Sequence, residues 1–218
     1  MGKLIVLEGL DGSGKTTQLG LLCKTLDAHG LAYRKLEFPC YESDSSMLVR
    51  MYLQGRFGSR PEDVNAYAAS SFYAVDRYAS YKACWGTAYE AGDVFVAGRY
   101  TTSNAIHQGA KLSGEARRAY MDWLFDYEYR LLGLPTPDAV IFLDVEVPQA
   151  LQNIAKRQAA RDIHETHAAY LASCRESGLE AAERYGWHTV KCCMDGGMRP
   201  AEEIAREIWE IVNKVNLC

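Results

Sequence analysis

The segment Gly9-Leu10-Asp11-Gly12-Ser13-Gly14-Lys15-Thr16 satisfies the pattern G-x-x-x-x-G-K-[ST] at every fixed position, and Thr17 extends it. Glycines let successive backbone N–H groups curl around a phosphate, and a helix opening at Lys15 would add its positive end. Lys15 supplies a mobile point charge, while the Thr16 hydroxyl can ligate magnesium. In front lies Lys3 to Glu8, whose continuous apolar run Leu4-Ile5-Val6-Leu7 has the pattern of a strand buried on both faces. Gly9 to Thr17 is therefore expected to cradle the phosphates of ATP or GTP, with magnesium.

Such a cradle leaves kinases, GTPases and motor ATPases open, so a second ligand has to be sought elsewhere. In Tyr73-Ala74-Val75-Asp76-Arg77 an aromatic ring and a guanidinium stand at i and i+4 on one helix face, with Asp76 one step aside. A ring that stacks beside a planar donor suits a base with a carbonyl edge. Tyr78, Tyr81, Trp85 and Tyr89 continue at helical spacing and are expected in the core or a subunit interface. Gly98-Arg99-Tyr100-Thr101-Thr102-Ser103-Asn104-Ala105-Ile106-His107-Gln108 gathers a cation, hydroxyls and amides after a strand, where ligands of open parallel sheets sit. Glu37-Phe38-Pro39-Cys40-Tyr41 ends a second strand on the same edge.

With these motifs, and with Leu134-Pro135-Thr136-Pro137-Asp138 before the fourth strand, the chain resembles the thymidylate kinases over essentially its whole length. That resemblance implies phosphorylation of dTMP to dTDP by ATP with magnesium, a step of nucleotide biosynthesis. It also implies a homodimer and a P-loop three-layer α/β fold, a five-stranded parallel sheet flanked by helices with a short mobile lid. Residue by residue, Tyr73 matches the aromatic that stacks on thymine and Arg77 the arginine that hydrogen-bonds the base. Arg99 matches the arginine on the 5′-phosphate, and Asn104 and Gln108 fall where the family lines the base and sugar pocket. Phe38, Pro39 and Tyr41 match the loop flanking the monophosphate, and Asp11 matches the carboxylate near the phosphates. Two positions depart from the pattern. Gly98 replaces the usual Asp, which puts the magnesium geometry in question with Asp11 as the substitute beside Thr16, and His107 replaces a tyrosine that crowds the sugar 2′ position.

No arginine lies between Gly9 and Lys15, so a closing segment has to supply the cations that neutralise the transferred group. Lys156-Arg157-Gln158-Ala159-Ala160-Arg161-Asp162 resembles the basic lid of those thymidylate kinases whose cradle lacks arginine, placing the lid at about 156–166. If helical, it would put Arg157 and Arg161 on one face. His164-Glu165-Thr166-His167 is one residue short of H-E-x-x-H, so no zinc site is expected there. A kinase for another nucleoside monophosphate, or a nucleotide-binding protein weakened by Gly98, are the rival readings.

The elements that must hold these residues alternate. Strands are predicted at Lys3 to Glu8, Tyr33 to Phe38, Val94 to Ala97, Ala139 to Asp144 and Thr189 to Cys192. Helices are predicted at Lys15 to Ala28, Met47 to Gln54, Val64 to Tyr89, Glu115 to Leu132, Pro148 to Ala159, Glu165 to Tyr185 and Pro200 to Val215, the last with Ile204, Ile208, Ile211, Val212 and Val215 on one stripe. This alternation argues for a parallel sheet covered on both faces, in one domain spanning 1–218.

Composition agrees: 218 residues, 48% hydrophobic and 24% charged, describe an ordinary globular chain. Twenty-four Lys and Arg against 28 acids leave a net charge of −4, the wrong sign for an indiscriminate nucleic-acid or membrane binder. The opening residues meet Glu8 too early for a signal peptide and no apolar run spans a bilayer, so a cytoplasmic protein is expected. Seven cysteines, odd in number and without C-x-x-C spacing, are expected as free thiols.

Overall fold

The computed structural model describes residues 1–156, 168–194 and 196–217. Its first half runs β1 (Lys3–Gly9), α1 (Lys15–Ala28), β2 (Arg34–Leu36), α2 (Met47–Leu53), α3 (Ala66–Ser80), α4 (Gly86–Glu90), β3 (Val94–Ala97) and α5 (Thr101–His107). Then follow α6 (Gly114–Phe125), β4 (Ala139–Asp144), α7 (Val147–Lys156), α8 (Ala168–Tyr185), β5 (His188–Lys191), β6 (Cys193–Met194), β7 (Gly197–Met198) and α9 (Ala201–Val212). The main sheet has five strands in the order β2-β3-β1-β4-β5, every neighbouring pair parallel, as the alternation predicts. β6 and β7 form a small antiparallel ribbon.

Side chains of a strand point alternately to its two faces, and β1 feeds two cores in this way. Ile5 and Leu7 pack with Leu22 and Leu26 of α1 and with Ile204, Ile208 and Val212 of α9. Leu4 and Val6 face the other side, where Tyr81, Trp85, Tyr89 and Tyr100 meet Phe95 and Val140. Each fully buried aliphatic side chain contributes roughly 1.5–3 kcal/mol, so β1, unexposed from Leu4 to Leu7, is the element least free to shift. The stripe on α9 is confirmed at Ile204, Ile208 and Val212, all buried.

The helix predicted from Val64 to Tyr89 is instead α3, a π-helical turn over Tyr81–Trp85, and α4. Residues spaced by four drift about 40° per step around a helix of 3.6 residues per turn. A turn that holds one extra residue offsets this drift and keeps Tyr81, Trp85 and Tyr89 on the sheet, while Tyr78 stays exposed. The helix predicted to Leu132 likewise changes winding, from α6 into a π-helical turn at Asp126–Leu131. That turn keeps Tyr120, Leu124 and Glu128 all buried on the inner face.

Candidate active site

Between β1 and α1 the backbone does what the glycines predict. Gly9, Gly12 and Gly14 hold φ of 151°, 81° and 89°, values that side chains with a Cβ rarely adopt. α7 lies hard against this loop: a Cβ on Gly12 would sit 2.4 Å from the Ala150 carbonyl oxygen. Asn153 Nδ2 of the same helix donates to the Gly12 carbonyl at 2.8 Å. Lys15 Nζ folds back over its own loop and donates to the carbonyls of Gly9 and Leu10, both at 2.8 Å. Ser13 Oγ is buried without a hydrogen-bond partner, an orphan that a phosphate oxygen would satisfy. Thr16 and Thr17 are exposed in the first turn of α1.

This donor set suits magnesium, which keeps most of its ligands as water and phosphate and takes only one or two from protein. Thr16 offers a hydroxyl and Asp11 a carboxylate. Among the described residues no cluster of three His, Cys, Asp or Glu side chains is built to cage a metal.

Arg99, just past β3, forms an ion pair with Asp11 across the mouth of the loop. Its Nη1 also donates to His107 Nε2 at 3.0 Å. Burial alone would depress the Arg99 guanidinium, but the Asp11 and Glu8 carboxylates outweigh it and hold the group above its ordinary range. Beneath it, Glu8 of β1 is completely buried and accepts from Tyr100 N at 3.2 Å, Thr102 Oγ1 at 2.7 Å and Ser103 Oγ at 2.8 Å. Burial pushes the Glu8 carboxyl up from its usual range, against the pull of the Thr102 hydroxyl and Arg99. A carboxylate at the end of β1 therefore anchors the first turn of α5, joining the phosphate cradle to the Arg99 segment.

A cavity opens beyond Arg99, lined by Asp11, Phe38, Pro39, Tyr41, Tyr73, Arg77, Arg99, Asn104, His107 and Gln108. The substrate-pocket residues expected from the sequence are thus brought together. Gln108 Oε1 is buried without a partner, and Asn104 Nδ2 donates to the Ser70 carbonyl at 3.4 Å. Asp76, adjacent to Arg77, accepts from Cys40 N at 2.8 Å and Ser45 Oγ at 2.6 Å, so it ties the Phe38–Tyr41 loop to α3. The Phe38–Pro39 bond in this loop is cis. A second cavity lines Lys15, Thr16 and Gly98 and shares Asp11, Phe38, Pro39, Tyr41 and Arg99 with the first. The cavity around Tyr73 and Arg77 and the one around Lys15 and Thr16 are two ends of one cleft, with Arg99 between them.

Glu8 and Glu128 support this cleft, the latter through an ion pair with Arg77, and neither is singled out by the sequence, whereas Asp76 is noted there only as one step aside from the Tyr73–Arg77 face. Glu128 carried the one available signal: with Tyr120 and Leu124 it forms an i, i+4, i+8 row, and a carboxylate on a buried apolar row requires a partner. Gly98 leaves room for a side chain, since an added Cβ would lie 3.3 Å from Leu19 Cδ2 and meet nothing else. Arg157, Arg161 and the His164–His167 segment lie outside the described residues.

Comparison with known proteins agrees with this architecture. A sequence model of thymidylate kinases matches residues 7–195. A thymidylate kinase of Akkermansia muciniphila is 34% identical over 175 residues, covering 80% of this chain and 76% of its own. One from Mycobacterium tuberculosis is 32% identical over 160 residues, 73% of either chain. The human enzyme is 31% identical over 158 residues, 72% of this chain and 66% of its own. The solved structure of a thymidylate kinase from Candida albicans superposes with a TM-score of 0.69 at 22% identity, covering 98% of this chain and 92% of that one, which supports the fold. Motifs, cleft and relatives converge, and the chain belongs to the thymidylate kinase family.

Proposed function

We propose that this protein phosphorylates dTMP to dTDP with ATP, by direct in-line transfer, and that it works as a homodimer. The observation that carries the reading is the shared cleft, in which Arg99 stands between a base pocket ending at Tyr73 and Arg77 and a phosphate cradle ending at Lys15 and Thr16. A phosphate held by Arg99 would face the end of a nucleotide phosphate chain lying in the cradle.

Tyr73 offers its ring to the base, Arg77 donates to the base edge, and the unpartnered Gln108 Oε1 accepts from a base or sugar donor. Arg99 exchanges its Asp11 partner for the monophosphate and aims one phosphate oxygen at the γ-phosphorus of ATP. That oxygen forms the new P–O bond as the bond to ADP breaks. It is already anionic, so no strong general base is required. Lys15 leaves its two carbonyl partners and follows the transferred group, whose charge spreads over three equatorial oxygens. Thr16, with Asp11 nearby, would hold magnesium, which would supply charge neutralisation on the phosphates. Arg157 and Arg161 are proposed as lid cations.

A coupled ADP-release assay with dTMP, dUMP, UMP and dGMP tests this. dTMP is expected to give the highest kcat/KM, and Lys15→Ala is expected to abolish turnover. Preference for another monophosphate would replace the substrate. Gly98 motivates a second reading, that of a nucleotide-binding protein, and binding of ATP and dTMP without ADP release would establish it.

A further inference from the structure

We propose that Glu128 is the positioning residue that sets Arg77 as a fixed donor edge in the base pocket, and so determines selectivity for a base that accepts a hydrogen bond there. The proposal rests on the reading of this pocket as the monophosphate site. Arg77 is 2% exposed and Glu128 is unexposed. They meet in a bidentate pair: Arg77 Nε donates to Oε2 at 2.7 Å and Nη2 to Oε1 at 2.6 Å.

A guanidinium has five N–H donors in a planar fork, and this pair engages two of them. Nη1, on the far side of the fork, has only a long contact of 3.5 Å to the Tyr100 carbonyl, although Arg77 lines the cavity. Without Glu128 the fork could rotate about its long stem. With both oxygens engaged its plane is fixed, and the edge presented to the pocket is fixed with it. A guanidinium never accepts a hydrogen bond, so this edge favours a carbonyl and opposes an amino group at the same place on a base.

Glu128 also ties base recognition to phosphate recognition. Its Oε2 accepts from Thr101 Oγ1 at 2.8 Å, two residues after Arg99. The π-helical turn Asp126–Leu131 carries Glu128 inward, while its neighbours Asp126 and Arg130 pair outside at 2.8 Å. Such turns inside helices are frequent at functional sites. Stability alone does not explain a buried ion pair well, because well-packed apolar residues usually do as much for the fold.

The test compares Glu128→Gln and Glu128→Asp with the wild type in steady-state assays on dTMP and on 5-methyl-dCMP, which carries an amino group in place of the carbonyl. Thermal unfolding of each variant is followed in parallel. Expected are a KM for dTMP raised about tenfold, the worth of one charge-assisted hydrogen bond, and a preference for dTMP over 5-methyl-dCMP reduced by about the same factor. kcat should stay within about threefold and the KM for ATP should be unchanged, since only ground-state placement of the base is disturbed. Glu128→Asp retains the buried charge and answers the question if the glutamine variant does not fold. A folded variant with the wild-type KM and wild-type preference overturns the proposal, as does an equal loss in kcat and in both KM values. If the wild type prefers another monophosphate, the functional reading fails, and the variants are scored by the same criteria on that substrate. Without turnover, dissociation constants from titration calorimetry replace KM.

Discussion

Arg99 Nη1 donates a hydrogen bond to His107 Nε2 at 3.0 Å. Because arginine has no acceptor, Nε2 carries the lone pair and the ring proton resides on Nδ1, which faces Cys174 Sγ at 3.7 Å. Burial pushes the Cys174 thiol up to about 12, so this neighbour remains uncharged. The Tyr170 hydroxyl fixes the same residue from behind by donating to the His107 carbonyl at 2.7 Å. His107 occupies the position for which the family resemblance implies a sugar-crowding tyrosine, and its ring is smaller. His107→Tyr is expected to increase the preference for dTMP over ribothymidine monophosphate by about tenfold, the discrimination available from one steric contact. Paired kcat/KM measurements check this, and an unchanged ratio removes His107 from sugar selection.

Gly98→Asp is expected to fold and to raise kcat. No positive φ opposes a side chain, and only the Leu19 methyl tip, 3.3 Å from the added Cβ, has to yield. The new carboxylate would stand beside Arg99 and the phosphate cradle, where it can order the arginine or magnesium waters. An increase of about tenfold at saturating ATP, less than the full worth of one preorganised electrostatic group, supports this view. A fall in rate would show that Gly98 is not a deficit.

Gly12→Ala combines a left-handed backbone, φ 81°, with a Cβ 2.4 Å from the Ala150 carbonyl. Either α7 or the cradle must move by about an ångström, a displacement that costs on the order of 100-fold in rate at a positioned site. kcat/KM for ATP should fall by about that factor while far-ultraviolet circular dichroism stays native. Near-normal ATP kinetics would mean that the cradle tolerates the shift.

Lys111 supplies a pH dependence. Its Nζ donates to Tyr52 Oη at 3.0 Å and the Val64 carbonyl at 2.7 Å, and burial lowers the group from 10.5 to about 8. Between those values the unfolded chain retains a proton that the folded one has released, so stability rises with pH across this window. Below about 8 both states are protonated and the contribution is constant. Unfolding midpoints of the wild type and Lys111→Met, measured at about pH 7 and about pH 9.5, should show the wild type gaining relative to the variant at the higher pH. Parallel shifts would contradict the linkage.

Legibility followed sequence distance. β3 and β4 agree to the residue with their predicted runs, because a strand buried on both faces displays nearly its whole length as apolar residues, with only Asp144 at the end of β4 polar. β2 is shorter than predicted, Arg34–Leu36 rather than Tyr33 to Phe38, since it is an edge strand paired only with β3. The cradle was readable because its backbone demands glycine at particular places. α5 was not: Thr101-Thr102-Ser103-Asn104 is a poor helix former, and the helix is held by Glu8, 92 to 95 residues earlier in the chain. The pairing of Arg77 with Glu128 spans 51 residues and depends on a change of helical winding that no 3.6-residue periodicity displays.

The parallel register of β1 and β3, from Lys3 opposite Val94 to Val6 opposite Ala97, acts as a length standard for the reaction. Gly9 ends one strand and Arg99 follows the other by two residues, so in the proposed reaction the gap between phosphate donor and acceptor would be inherited from the ladder of hydrogen bonds below them. A slip of one residue would carry Arg99 about 3.3 Å along the sheet, as far as the whole approach distance of an in-line attack, and would exchange the side chains that β3 gives to the two cores. Evolution can therefore lengthen this chain at the exposed turn around Gly30, where nothing crowds the backbone. Between Ala97 and Thr101 even a single insertion would move the acceptor out of range.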